Sequence, residues 1–269
     1  VHHEDLMCLA GQQKKSSAKD VRHVRAVYSR GHFQLDFVGR VRVPTIDGAV
    51  GCHSFFDCGT GWVHEVLVSR KGNADIVLRR FLVTHVYPYI TAMLSLTTDC
   101  AKEYGHGDRG CLAFKSLCHD ADVDLRHIAP YSPNMNDSER PHQSITRIQL
   151  YLMIQGGSPE CFWGCGRKCA REVHINLVGK RATEFMGYPC TPDHAYTRRP
   201  MDAAYLRPFM CLVHVLNPAA SITMRHLQRS GTAGLFVFYG HSDGVRGYWT
   251  WMPNEGNFRF SRNVRFHEN

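Results

Sequence analysis

The spacing of hydrophobic and polar residues changes along this chain of 269 residues. Up to about residue 30 the sequence is polar and basic, with little periodicity. From 33 to 70, β-branched and aromatic residues form three runs separated by Gly, Pro or Asp, a pattern typical of strands. From 73 to 155, amphipathic helical patterns alternate with short apolar runs. The resulting order, β-β-β-α-β-α-β-α, predicts a mixed sheet with helices on its faces.

Each element of this first region follows from a local run of residues. We predict strands over 33–43, 51–59, 62–70, 92–99 and 124–131, and helices over 73–87, 108–120 and 138–155. The last helix places Ile145, Ile148 and Leu152 on one side, which we expect to face the core. Pro141 is compatible with this helix because it lies within the first turn.

The pattern changes again after residue 155. A helical stretch over 162–179 precedes a segment punctuated by proline over 187–208. Short strands and tight turns follow over 209–216, 234–240, 246–253 and 257–266. They predict a small all-β unit, similar to a barrel, with its own aromatic core. Trp249 and Trp251 could stack on nucleic-acid bases, but their alternation along a strand favours packing within the unit.

Composition and charge indicate a globular protein with an anionic partner. Hydrophobic residues make up 43% of the chain and charged residues 21%. Lys and Arg number 32 against 24 Asp and Glu, and the net charge of +8 favours nucleic acid as a partner. The most apolar stretch, 81–96, is interrupted by His85 and Pro88, so we predict no membrane span.

The cysteines and the first residue suggest where the chain comes from. Eleven cysteines, an odd number without a tight framework, favour a reduced intracellular setting. Cys161, Cys165 and Cys169 share one helix face, with His174 beyond them. They could bind a soft metal, but the spacing favours small side chains packed against the core. The chain begins with Val rather than Met, so we expect it to be a piece of a longer polyprotein.

Three carboxylates occupy distinct places in the predicted elements. Asp36 lies within the first strand, Asp99 ends the fourth, and Glu139 opens a helix after a polar loop. Three converging acids repel one another unless a cation lies among them, and oxygen ligands suit Mg²⁺ or Mn²⁺. Each acid also has an ordinary alternative: a backbone contact for Asp36, a turn for Asp99 and the helix dipole for Glu139.

The segments around these acids resemble a known family. They are QLDFVGR (34–40), TTDCAKEYG (97–105) and PYSPNMNDSERP (130–141), followed by FWG (162–164) and by the ending LFVFYG to FHE (235–268). In this order they are similar to the integrase of copia-type long-terminal-repeat retrotransposons. The resemblance implies an α/β fold: a ribonuclease-H-like mixed sheet with flanking helices, then a small SH3-like β-barrel.

The resemblance also implies a domain organisation. The chain divides into a basic lead-in that is the remnant of a zinc-binding module, the catalytic core, a helical extension and linker, and the SH3-like domain: 1–30, 31–155, 156–205 and 206–269. In the lead-in, Cys8 matches the last zinc ligand of the family, but Asp5 stands three residues before it. His2 and His3 are too close together to supply the missing pair, so no structural zinc is expected.

The implied activity is DNA integration. The family processes the 3′ ends of DNA and then transfers the new 3′-hydroxyl to a phosphodiester of target DNA, a phosphoryl transfer that uses two metal ions. Asp36, Asp99 and Glu139 match the catalytic acids and would hold two Mg²⁺ or Mn²⁺ ions. DNA, a second copy of the chain and a nuclear or cytoplasmic location follow from the same resemblance.

Basic and polar residues near the acids are candidates for binding DNA. Lys102 follows Asp99, Asn136 and Arg140 flank Glu139, and Arg147 lies a little over two helical turns further on. They could contact phosphate oxygens or could be solvated surface charges. A diffuse contribution to binding is expected from a wider set of basic residues: Arg79, Arg80, Arg246, Arg259 and Arg262.

Several positions depart from the family pattern. Ala101 replaces a Gly that allows a tight backbone after the second acid, and Asp137 replaces a loop Gly, which adds negative charge beside Glu139. Gln143 replaces an Arg, and Met210 replaces another Gly. These departures suggest a degenerate copy. Two functions stay open: an active integrase, or an inactive integrase-fold module that only binds nucleic acid. Plain ribonuclease H activity is a third, less favoured alternative.

Overall fold

The first sheet of the protein is mixed. A computed structural model describes residues 30–39, 41–90, 92–107, 111–128, 137–200, 203–216, 231–242 and 245–268. The sheet contains β1 (His32–Gly39), β2 (Gly51–Asp57), β3 (Val63–Val68), β4 (Ser95–Thr98) and β5 (Asp124–His127), in the order β3-β2-β1-β4-β5. β1 is antiparallel to β2 and parallel to β4, and β5 is parallel to β4.

Helices cover both faces of this sheet. They are α1 (Ala74–Phe81), which continues as a π-helical turn (Leu82–Val86), α2 (Leu112–Asp120) and α3 (Glu139–Gln155). On one face Phe81 of α1 packs against Phe33, with ring centroids 5.3 Å apart. The next residue of β1, Gln34, faces the opposite side and contacts the start of α3.

The predicted mixed sheet with flanking helices is confirmed, and its strand order is that of the ribonuclease-H-like fold. The first strand is shorter than predicted, because it ends at Gly39 rather than at residue 43. Beyond it, the chain forms a turn in which the hydroxyl of Thr45 accepts a hydrogen bond from the N–H of Ala49 at 2.8 Å. Pro141 lies in the first turn of α3, as predicted.

Three further helices connect the first sheet to a second one: α4 (Trp163–Ile175), α5 (Lys180–Met186) and α6 (Pro192–Thr197). Ala170 and Ile175 of α4 belong to the core of the first sheet, whereas Cys165 and Cys169 belong to the core of the second. α4 lies in the segment predicted as an extension and linker, and it therefore contributes side chains to both cores. None of the described helices combines the length and apolar character needed to cross a membrane.

The cysteines of α4 are packing residues, as the spacing favoured. Cys169 is 2% exposed, and its Sγ donates to the carbonyl of Val237 at 3.2 Å. Burial raises the pKa of Cys165 to about 12, so its thiol stays protonated at neutral pH.

The terminal unit is a five-stranded antiparallel sheet. Its strands are β6 (Leu212–Leu216), β7 (Gly231–Ser242), β8 (Val245–Met252), β9 (Asn257–Ser261) and β10 (Val264–His267), in the order β10-β6-β7-β8-β9. The run predicted as one strand over 257–266 is thus two strands. Trp249 lies against Phe238 and Phe260, and Trp251 against Phe162 and Phe258, which confirms their packing role.

Met210 has a backbone conformation that favours glycine, with φ +63°. We expect Met210→Gly to be more stable than Met210→Ala by about 1 kcal/mol, because both changes remove the side chain and only alanine keeps the left-handed strain. Urea denaturation of the two variants measures the difference. At Ser144, an exposed site inside α3, the order should reverse and alanine should be the more stable. A more stable alanine variant at 210 would contradict the prediction.

Candidate active site

Asp36 and Asp99 stand side by side on neighbouring strands, Asp36 within β1 and Asp99 directly after β4. The parallel pairing of β1 and β4 ends with Leu35 opposite Thr98, and the next residue on each strand is one of the two acids. Adjacent strands lie about 4.8 Å apart, so two of the three carboxylates predicted from sequence lie close together on neighbouring strands. Asp36 and Asp99 are 63 residues apart in sequence, and the parallel crossover through α1 brings them together in the fold.

The electrostatics of this pair favour a bound cation. Partial burial raises the pKa of Asp99, and the nearby charge of Asp36 raises it further. The N–H of Ala101, which donates to Asp99 Oδ1 at 3.2 Å, and the charge of Lys71 both oppose this rise in pKa. Asp36 Oδ1 in turn accepts from the N–H of Phe37 at 2.7 Å. Backbone donors therefore orient both carboxylates while their charges repel.

The start of α3 is held against β1 beside Asp36. The backbone N–H of Ser138, which is fully buried, donates to Gln34 Oε1 at 3.0 Å. Gln34 and Asp36 are two residues apart on one strand, so they face the same side of the sheet. Glu139, the first residue of α3, follows directly. Its Oε1 accepts a hydrogen bond from Gln143 Nε2 at 3.3 Å, and both side chains are exposed.

Among the residues that the structure describes, no three His, Cys, Asp or Glu side chains stand close enough to hold a metal ion. That Glu139 joins Asp36 and Asp99 in a metal site stays a prediction. The two adjacent carboxylates nevertheless fit one Mg²⁺ ion, which usually takes one or two carboxylates and completes its shell with water and phosphate. Opposite Asp36 on β2, the hydroxyl of Ser54 is buried without a hydrogen-bond partner, a further oxygen beside the pair.

A charged pair that the acids alone did not indicate lies beside Asp99. Lys71 forms an ion pair with Glu103 and lies over the ring of Phe37, 5.3 Å from its centroid. Glu103 raises the pKa of Asp99 by its charge, and Lys71 lowers it. The sequence carried a signal for Glu103, which lies within the segment TTDCAKEYG that resembles copia-type integrases.

The residues predicted to contact DNA lie at the surface where the structure describes them. Lys102 begins a 3₁₀ turn three residues after Asp99, and its side chain is exposed. Arg140 and Arg147 are exposed on α3. Asn136 lies outside the described residues, as do the cysteine and histidines discussed for the zinc module. Contact with DNA stays a prediction for all four.

Two departures from the family pattern cause no backbone strain. Ala101 has φ −82° and ψ 146°, an ordinary extended conformation, so alanine is accommodated where the family has glycine. The backbone φ of Asp137 is not positive, so this position does not require glycine. Its carboxylate Oδ2 lies 2.9 Å from an Nη atom of Arg181, so its negative charge is paired.

Comparisons with known proteins agree with this architecture at its C-terminal end. Residues 211–269 match the family model of the retroviral polymerase SH3-like domain. The terminal unit is therefore similar to those domains in sequence, and the chain combines it with a ribonuclease-H-like sheet. No curated protein matches the chain.

Two solved structures are similar to the chain at low levels. The catalytic core domain of BIV integrase aligns with 63% of this chain and 95% of its own, at 13% identity and a TM-score of 0.46. A chain of the simian T-cell lymphotropic virus intasome, solved in complex with PP2A regulatory subunit B56 gamma, aligns with 88% of this chain and 81% of its own. Its identity is 10% and its TM-score 0.45. Similarity at this level assigns no role to any residue.

Proposed function

We propose that this chain is the integrase of a copia-type retrotransposon and that it joins DNA ends by metal-dependent phosphoryl transfer. The observation that carries the proposal is the adjacency of Asp36, within β1, and Asp99, directly after β4, next to the helix that begins with Glu139. The retroviral polymerase SH3-like match supports it, because it lies at the end of the chain where the integrase pattern requires that domain.

Each group near the site has a role in this proposal. Asp36, Asp99 and Glu139 would hold Mg²⁺ or Mn²⁺, which supplies charge stabilisation for a phosphoryl transfer. The N–H groups of Phe37 and Ala101 orient the first two carboxylates. The positive surface of the chain would hold the DNA backbone, with the contacts nearest to the reacting phosphate coming from three residues: Lys102, Arg140 and Arg147.

The proposal extends to assembly and location. Joining two ends of an element to one target requires two active sites close together, so we infer that the active form is a homo-oligomer. A chromosomal target would require entry to the nucleus after synthesis in the cytoplasm.

An inactive integrase-fold module that only binds nucleic acid is the second candidate. One observation favours it: Glu139 is hydrogen-bonded to Gln143, the residue that replaces an arginine of the family. A carboxylate bonded within its own helix has to rotate before it can reach Asp36 and Asp99.

A strand-transfer assay separates the two candidates. We expect the chain to join an oligonucleotide carrying the element's own terminal sequence to a plasmid in Mg²⁺ or Mn²⁺, and Asp99→Asn to give no product above background. Asp120→Asn, which changes an exposed aspartate at the end of α2, is the matched control and should keep wild-type activity. Equal product from wild type and Asp99→Asn would overturn the enzymatic proposal, and DNA binding without product would favour the second candidate.

A further inference from the structure

Arg181, at the start of α5, reaches back to the entrance of the helix that carries Glu139. One Nη atom lies 2.9 Å from Asp137 Oδ2, and the other donates to the carbonyl of Cys58 at 2.8 Å. The guanidinium carbon lies 5.1 Å from the centroid of the Phe56 ring, a cation–π contact. Only 16% of the Arg181 side chain is exposed. Three separate groups therefore fix this arginine in one position.

The partner of Arg181 lies two residues before Glu139. Between them, Ser138 is fully buried and is hydrogen-bonded to Gln34 of β1. The entrance of α3 is thus held from two sides, by Gln34 on the sheet and by Arg181 on the helical extension. A helix whose first turn is held at two points has little freedom to tilt, so the direction in which Glu139 leaves the backbone is fixed.

We propose that Arg181 is a positioning residue for Glu139, acting through its ion pair with Asp137. The inference rests on the proposed function, in which Glu139 is the third metal ligand. In this proposal α5 braces the helix that carries the third carboxylate. It also explains why aspartate is acceptable where the family has glycine. A glycine at 137 could not form the pair. The aspartate has less backbone freedom than glycine, but its carboxylate makes a charge-assisted contact with Arg181.

A direct contact between Arg181 and DNA phosphate is the competing role. The geometry disfavours it, because both terminal nitrogens are already within contact distance of protein oxygens. A phosphate would have to displace Asp137 or the carbonyl of Cys58. The two roles differ in what they change: positioning alters the metal requirement, whereas phosphate contact alters affinity for DNA.

The experiment is a double-mutant cycle with four proteins: wild type, Arg181→Gln, Asp137→Asn and the double variant. The measurements are Mn²⁺ binding followed by electron paramagnetic resonance, hydrogen exchange over the first turn of α3, DNA affinity, and the Mg²⁺ concentration for half-maximal strand transfer. Lys180→Gln is the matched control, since Lys180 adjoins Arg181 but pairs only across an exposed 3.7 Å contact with Glu184. Arg181→Lys keeps the charge and should recover part of any loss.

Arg181→Gln and Asp137→Asn are each expected to raise the metal concentration for half-saturation about tenfold, the usual cost of losing a partner that orients a ligand. Both should speed exchange of the His142 amide, which donates to the carbonyl of Ser138 at 3.1 Å. The double variant should lose no more than either single variant, because all three break the same pair. DNA affinity and the Lys180→Gln control should stay at wild-type values.

Unchanged exchange and unchanged Mn²⁺ affinity in Arg181→Gln would overturn the inference. So would additive losses in the double variant, or a loss confined to DNA affinity. Failure of the proposed function has a different signature: the wild type makes no strand-transfer product. In that case Mn²⁺ binding and hydrogen exchange still decide whether Arg181 orients the start of α3.

Discussion

The Asp36→Asn variant is expected to join DNA ends about a thousandfold more slowly than the wild-type protein at saturating Mg²⁺. The loss corresponds to about 4 kcal/mol of transition-state stabilisation, the scale on which a catalytic metal ion acts. Asparagine keeps the size of the side chain and one oxygen that can accept from the N–H of Phe37. The change therefore removes the charge of one predicted ligand and leaves its packing in place.

The same variant gives a second readout that needs no activity. The charge of Asp36 contributes to the raised pKa of Asp99, so its removal should lower the pKa of Asp99 toward the ordinary value for aspartate. Titration of the Asp99 side-chain carboxyl carbon by NMR measures this change in the metal-free protein. A pKa of Asp99 that does not move in Asp36→Asn would mean that the two carboxylates are not neighbours.

The kinetic result is interpreted against two further variants. Asp120→Asn should keep wild-type activity, because that carboxylate is exposed at the end of α2. The double variant Asp36→Asn with Asp99→Asn should be little slower than either single variant, since residues that act as one unit do not add. Strand transfer within tenfold of wild type in Asp36→Asn would contradict a catalytic role for this aspartate.

Local patterns were sufficient to predict the first sheet and the positions of the acids on it. The alternation around Asp36, the short apolar run that ends at Asp99 and the polar loop before Glu139 are features of a few adjacent residues. Each of these features depends on residues that are close in sequence, and the periodicity of hydrophobic positions detects such features. The same rule could have identified Gln34, because a residue two positions from Asp36 on a strand faces the same side.

Contacts between distant segments could not be predicted in this way. Arg181 is 44 positions beyond Asp137, and nothing in either local sequence links them. The sharing of α4 between two cores was missed for the same reason, since Ala170 and Cys169 are neighbours in sequence but pack into different cores. The family motif has glycine at position 101, but the extended backbone there accepts alanine, which the motif alone could not show.

A buried ion pair links β3, α3 and α4 on the face of the sheet that carries Asp36. Arg167 is 3% exposed and Glu65 is 8% exposed. The guanidinium contacts both carboxylate oxygens, with Nη2 2.6 Å from Oε1 and Nε 2.9 Å from Oε2. A third bond, from Arg167 Nη1 to the hydroxyl of Thr146 at 2.8 Å, ties the pair to α3. The orientation of α3 thus depends on its contact with the buried Arg167–Glu65 ion pair.

Arg167→Met is expected to lower the free energy of unfolding by about 3–5 kcal/mol, because it leaves the Glu65 carboxylate buried without its partner. Urea denaturation followed by tryptophan fluorescence measures the loss. The matched control is Arg259→Met, since Arg259 pairs with Glu255 at a site where each side chain is about one third exposed. An exposed pair of this kind contributes about 0–1 kcal/mol. Equal losses in the two variants would contradict a special role for the buried pair.

The double variant Glu65→Leu with Arg167→Met separates the cost of an unpaired charge from the value of the pair. Replacing both partners by apolar residues removes the unpaired carboxylate, so most of the lost stability should return. The bond to Thr146 does not return with it, so α3 loses one of its polar contacts with α4. We therefore expect the double variant to fold almost as stably as the wild type and still to need more Mg²⁺ for strand transfer. Recovery of both properties would mean that the buried pair does not orient α3.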